Sequence, residues 1–158
     1  MLNVNPLDHI AIQNLLSRYC EALDTKLFDL LDNVFVPDVT AHYPFNPEMK
    51  GVETVKNAIR DRLGPIRTHH SLTTQTIVFT DVSKFANSVT YFIGAHIGQG
   101  PHEGKVLSAY GKYVDELVCL DAEGDYEGVR GASGKWRISR RTVIFTGRIG
   151  DEKIMNEF

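Results

Sequence analysis

The side chains that stand out for acid–base chemistry are Asp24, Tyr43, the adjacent pair His69 and His70, and His96. Histidine is the natural general base near neutral pH, because its ordinary pKa is about 6.5. A carboxylate beside it holds the useful tautomer and stabilises the imidazolium. Each residue also has a plainer use. Asp24 follows an apolar helical face and suits the N-cap of the next helix. Tyr43 suits a buried aromatic whose hydroxyl finds a partner. His69 and His70 open a strand, so they face opposite sides and one of them meets solvent. His96 closes a strand beside a turn, and His102 lies in a Gly-Pro turn and is expected to be exposed. Arg140 and Arg141 alternate, so at most one points inward, where it could anchor a phenolate or carboxylate.

The elements that must position these groups follow from periodicity. Asp8 reads as the N-cap of a helix carrying Ile10, Leu15, Leu16, Tyr19 and Leu23 near one face. A second helix is expected over residues 26–35 and is ended by Pro37. Val39, Ala41, Tyr43 and Phe45 alternate with Thr40 and His42 as in a strand, which Pro44 and Pro47 stop or hold at a sheet edge. A third helix is expected over 51–63, with Gly64-Pro65 ending it. Long strands are expected over 70–80, 86–97, 105–120 and 135–146, joined by turns at 98–101 and 121–134. Such short connections require antiparallel pairing. Residues 147–158 read as a tail that is partly ordered at best.

Helices therefore come first and a long, curved antiparallel sheet second. This is an α+β architecture in one domain over 1–158, with its core at about 8–146. A sheet that wraps its helices leaves an apolar hollow at its wide end, the default small-molecule site. Tyr19, Tyr91, Tyr110 and Tyr113 are candidates for lining it.

The composition sets limits on function. The 158 residues are 42% hydrophobic and 23% charged, as in an ordinary globular chain, and no apolar run of about 18 residues offers a membrane span. Seventeen Lys and Arg against 20 Asp and Glu give a formal charge of −3, which argues against a phosphate-neutralising nucleic-acid face. Cys20 and Cys119 lack metal-ligand spacing and sit in apolar contexts. With no secretion signal at the start, a reduced cytoplasmic protein is expected.

The order helix, helix, strand, helix, four strands resembles the cone-shaped fold of the nuclear-transport-factor-2-like superfamily. Residues 15–24 (Leu-Leu-Ser-Arg-Tyr-Cys-Glu-Ala-Leu-Asp), Thr68-His69-His70 and Gly134-Lys135-Trp136-Arg137-Ile138 are similar to its SnoaL-like branch, which includes polyketide cyclases and scytalone dehydratase. The resemblance spans about residues 8–145. It implies that Asp24 points into the hollow, that His70 is the pocket-facing histidine and base, that Tyr43 polarises a substrate carbonyl and that His96 is a second pocket histidine able to protonate a leaving group. Tyr19, Leu23, Tyr91, Tyr113 and Arg140 are the expected substrate-lining residues.

The sequence departs from the dehydratase pattern at Leu23, where that pattern has a tyrosine, and around 107–111, where a serine–asparagine pair has no counterpart. What the resemblance implies is a cofactor-independent dehydratase, isomerase or cyclase acting on a hydrophobic aromatic or polyketide-like ketone through an enolate-type intermediate. The expected assembly is a homodimer or homotrimer. A site built from one of the paired histidines, His96 and Asp24 would match a two-histidine-one-carboxylate metal set, but no spacing signature supports it and no metal is expected. The same fold also serves non-catalytic binding proteins and structural subunits such as dioxygenase β subunits, which remain the alternative readings.

Overall fold

The computed structural model describes residues 3–80, 84–121 and 127–158. Helix α1 (Leu7–Thr25) buries Ile12, Leu15, Leu16, Tyr19 and Leu23, the spacing of a single helical stripe. Its start differs from expectation. Asn5 accepts from the Leu7 amide at 3.0 Å and takes the capping role. Asp8 instead turns inward, where its carboxylate accepts from the Ser133 amide at 2.8 Å and the Ser133 hydroxyl at 2.7 Å.

The second helix is only a short 3₁₀ segment, Phe28–Asn33. Two of its acids, Asp29 and Asp32, accept from Lys56 at 3.3 and 3.1 Å, a tertiary tie that local pattern does not reveal. Strand β1 (Phe35–Tyr43) then starts before Pro37 instead of after it. Proline is tolerated there because the pairing of β1 with the last strand is irregular between Phe35 and Thr40, so its missing N–H leaves no ladder position empty. Strand β2 (Asn46–Lys50), not foreseen, forms the sheet edge and contains Pro47. Helix α2 (Val52–Leu63) packs beside β1.

The long strands β3 (Arg67–Phe79), β4 (Phe85–Ile97), β5 (Val106–Leu120) and β6 (Lys135–Gly150) match expectation closely except at the last end. The connection expected over 121–134 lies partly outside the described residues, at 122–126. One six-stranded sheet runs β2-β1-β6-β5-β4-β3. The architecture is α+β and cone-like, but the sheet is open and mixed. β1 pairs with β6 in parallel, because strands from opposite ends of the chain are not bound by the short-connection rule.

The tail is structured. β6 continues to Gly150, a 3₁₀ turn spans Glu152–Met155, and Ile154 is 2% exposed against Ile66 and Leu107. The same packing buries His102, which pairs through Nε2 with Glu157 at 2.7 Å instead of facing solvent. Both cysteines are buried and unpaired. No helix among the described residues is long and apolar enough to cross a membrane.

The core encloses one charged pair. Asp115 of β5 and Arg141 of β6 are cross-strand partners, both side chains 0% exposed, joined by two hydrogen bonds of 2.8 and 2.7 Å. Removing one member strands the other charge away from water. Asp115→Ala should therefore cost about 3–5 kcal/mol in chemical denaturation. A double Asp115→Leu, Arg141→Met variant should lose less than Asp115→Ala alone, and a larger loss would contradict this account.

Candidate active site

Asp24 occupies the last turn of α1, where the helix dipole disfavours an anion. Donors from β3 offset that cost. The His70 amide donates to Oδ2 at 2.8 Å, the Thr68 hydroxyl to Oδ1 at 2.9 Å, and His70 Nδ1 contacts Oδ1 at 2.7 Å. Burial would raise the carboxyl pKa, but the bonds from the His70 side chain and amide, its charge and the Thr68 hydroxyl hold it below the ordinary value. An ionised carboxylate only accepts, so Nδ1 of His70 carries a proton, and in the neutral ring it is Nε2 that presents the lone pair. The ring lies over Gly94, its partner across the β3–β4 ladder. A β-carbon at position 94 would stand 3.3 Å from both Cδ2 and Nε2 of His70, so glycine leaves the ring its room.

His96 lies two residues beyond Gly94 on β4 and shares its face of the sheet. Its Nδ1 donates to the Leu107 carbonyl at 3.0 Å. Burial, only partly opposed by this bond, lowers its pKa to about 4, with the His70, Arg148 and Arg62 charges acting in the same direction. At neutral pH it is uncharged, with Nε2 free to accept. Two histidines on one wall thus differ in their surroundings: His70 is backed by a carboxylate and His96 by a neutral carbonyl.

The floor is aromatic. The Tyr19 and Tyr43 hydroxyls share a 2.8 Å hydrogen bond, and Tyr113 stacks on Phe92 with ring centroids 4.3 Å apart. Arg141 lies against the rings of Tyr19 and Tyr113, at 4.3 and 4.1 Å. Burial raises the pKa of Tyr43, and that of Tyr19 well above the ordinary value, with Arg141 opposing both shifts. Both hydroxyls stay protonated and able to donate. Above them a narrow, mostly apolar pocket holds about 480 Å³ including its open mouth.

Of the residues singled out from sequence, Tyr19, Leu23, Tyr43, His70, His96 and Tyr113 line this pocket together. Asp24 stands behind His70, while His69 faces outward. Three expected lining residues are elsewhere, among them Tyr110, which is exposed on β5. Tyr91 is 43% exposed on the outer face, because it alternates with the inward Phe92. Arg140 is also outside, donating to His42 Nε2 at 3.2 Å, and it is Arg141 that turns inward.

Sequence reasoning missed Phe45, Arg62, Phe145 and Arg148, which also line the pocket. Arg62 was detectable, because it falls three residues after Ile59 on the apolar stripe of α2. Arg148 lies in the part of β6 read as tail. Among the described residues no group of three or more His, Cys, Asp or Glu side chains is placed to hold a metal ion.

The sequence matches the family described as SnoaL-like domain over residues 7–142. Solved structures with the same fold include a candidate scytalone dehydratase from Novosphingobium aromaticivorans, at TM-score 0.73 and 22% identity, covering 92% of this chain and 88% of that one. A hexachlorocyclohexane dehydrochlorinase, LinA type 2, superposes at TM-score 0.74 and 16% identity, covering 91% and 88%. The Kfla4162 protein from Kribbella flavida gives TM-score 0.72 and 22% identity, covering 90% and 93%. No curated protein sequence matches the chain significantly.

The state of His96 can be read from stability. Unfolded, it takes up a proton around pH 6.5, whereas folded it does so only near 4. Between those values the unfolded chain holds the extra proton, so this contribution is complete above the window and is lost as pH falls through it. His96→Gln should reduce the acid loss of stability between pH 6.5 and 4 by about 3 kcal/mol in total. Asp24, with its lowered pKa, acts only below its ordinary value of 3.8. Equal acid slopes in denaturant titrations of the two proteins would contradict the assignment.

Proposed function

The chain belongs to the SnoaL-like domain family, and from that premise we propose that it is a cofactor-independent general acid–base enzyme. Its reaction is the dehydration, isomerisation or cyclisation of a hydrophobic ketone of aromatic or polyketide type. The observation that carries this reading is the 2.7 Å contact of Asp24 with His70 Nδ1, which turns Nε2 toward an apolar pocket. His70 Nε2 removes a proton from the carbon beside the substrate carbonyl. The electron pair moves onto the carbonyl oxygen, which receives a hydrogen bond from Tyr43, itself bonded to Tyr19. Asp24 stabilises the imidazolium that results.

The captured proton then has three destinations. In a cyclisation the enolate carbon attacks a second carbonyl of the substrate and the proton goes to the alkoxide that forms. Delivered to another carbon, it completes an isomerisation. Delivered to a hydroxyl leaving from the β-carbon, it completes a loss of water. His70 is therefore both base and acid. His96, uncharged and donating its only N–H to Leu107, acts by accepting a hydrogen bond from a substrate hydroxyl and is not the proton donor expected from sequence. Two structural relatives carry names that denote eliminations, of water and of hydrogen chloride, and this supports the elimination branch.

Incubation with hydroxylated tetralones in deuterium oxide, with EDTA present, tests the reading by mass spectrometry. Deuterium incorporation or water loss is expected from the native protein. His70→Ala should slow it by about 10²–10⁴-fold, and Tyr43→Phe by about 10²–10³-fold. Asp24→Asn should fall with His70→Ala. Undiminished exchange in a folded His70→Ala protein, or none with the native protein on any ketone, would overturn the proposal.

A further inference from the structure

Among the described residues, the arginines that approach the interior are, with one exception, matched to acids. Arg141 is held by Asp115, Arg137 by Glu127 and Arg148 by Glu152. Arg62 is the exception. It is half-buried at the pocket mouth, and its guanidinium lies 4.4 Å from the centre of the Phe45 ring. No carboxylate of the described residues is in ion-pair contact with it, including Asp61, which lines the adjoining shallow hollow. Ring stacking occupies the face of a guanidinium and leaves its N–H edge free to bind.

Arg148 reaches the same mouth from β6, against Phe145 at 5.6 Å. Its Nε and Nη2 are taken by Glu152 at 3.0 and 2.8 Å, which leaves Nη1 available. The residues lining the pocket include these two arginines and no Asp or Glu. With Glu152 counted, the mouth keeps one uncompensated positive charge over an apolar interior. Burial and the neighbouring Arg148 lower the pKa of Arg62, and Glu152 opposes them only in part.

We propose that Arg62 and Arg148 form an anion subsite that receives a carboxylate carried by the substrate, so that the substrate is a cyclic or aromatic keto acid. The inference rests on the reading of this pocket as the substrate site. The carboxylate takes the N–H edge of Arg62 and Nη1 of Arg148, a charge-assisted pairing. The apolar body then fills the space lined by Leu63, Phe92 and Tyr113, and the carbonyl lies at Tyr43. In this arrangement the charge sets the direction of entry and the aromatic floor sets the reacting end.

Titration calorimetry at low salt with 2-naphthoate, 2-naphthamide and acetate separates the possibilities. Naphthoate should bind about tenfold or more tightly than its amide, the size of one charge-assisted hydrogen bond. Acetate should bind far more weakly than naphthoate, since a free small anion lacks the apolar body. Arg62→Gln should shrink the naphthoate preference to about twofold or less, and Arg62→Lys, which keeps the charge but loses the stacked fork, should keep only part of it. Equal affinity of acid and amide, failure of both to bind, or an equal loss for both in Arg62→Gln would each overturn the subsite. Binding is read without turnover, so His70→Ala should retain the preference. Its retention in a protein that shows no exchange would leave the subsite standing and remove the acid–base reading alone.

Discussion

The buried pairing of Asp115 with Arg141 is the interaction on which the rest of the site depends. Both side chains are fully enclosed, so their charges are tolerable only together and only in one geometry. That requirement holds β5 and β6 in register in the middle of the sheet. The guanidinium also supports the rings of Tyr19 and Tyr113, and through Tyr19 it reaches the hydroxyl of Tyr43. The floor of the pocket is thus an extension of an ion pair. A purely apolar core could fill the same volume, but it would not orient three phenols.

A second constraint joins the two halves of the fold. The end of α1 would by itself repel the carboxylate of Asp24. β3 answers with an amide, a hydroxyl and an imidazole, and in doing so sets the tautomer of His70. One cluster therefore serves both packing and chemistry. The neighbouring His96 shows how strongly context decides, because it is the same side chain on the same wall. Its N–H is bonded to the Leu107 carbonyl, and burial keeps it neutral.

Much of this was legible without coordinates, for identifiable reasons. The apolar stripe of α1 and the alternation along β1 are local signals, and they placed Tyr19, Leu23 and Tyr43 on inward faces. The adjacency of His69 and His70 guaranteed that only one could enter the pocket. Arg140 and Arg141 carried the same guarantee, but alternation alone does not say which of two neighbours points inward. The register shift opposite Glu116 and Leu117 puts an extra residue, Ser139, between Ile138 and Arg140 and so shifts the face that a simple count would assign. Tyr91 failed for the same reason, since its neighbour Phe92 took the interior.

What the sequence by itself determined is the class of fold and the stock of reactive groups, because periodicity, turn residues and residue chemistry are properties of short stretches of chain. Tertiary structure decided which of those groups meet and in what protonation state. The parallel pairing of β1 with β6, the burial of Asp8 against Ser133 and the docking of Ile154 join positions far apart in the chain. No local pattern encodes such contacts. The positive mouth formed by Arg62 and Arg148 belongs to the same kind: two ordinary arginines, one on a helix and one near the chain end, become a site only when the sheet curls to bring them over the same hollow.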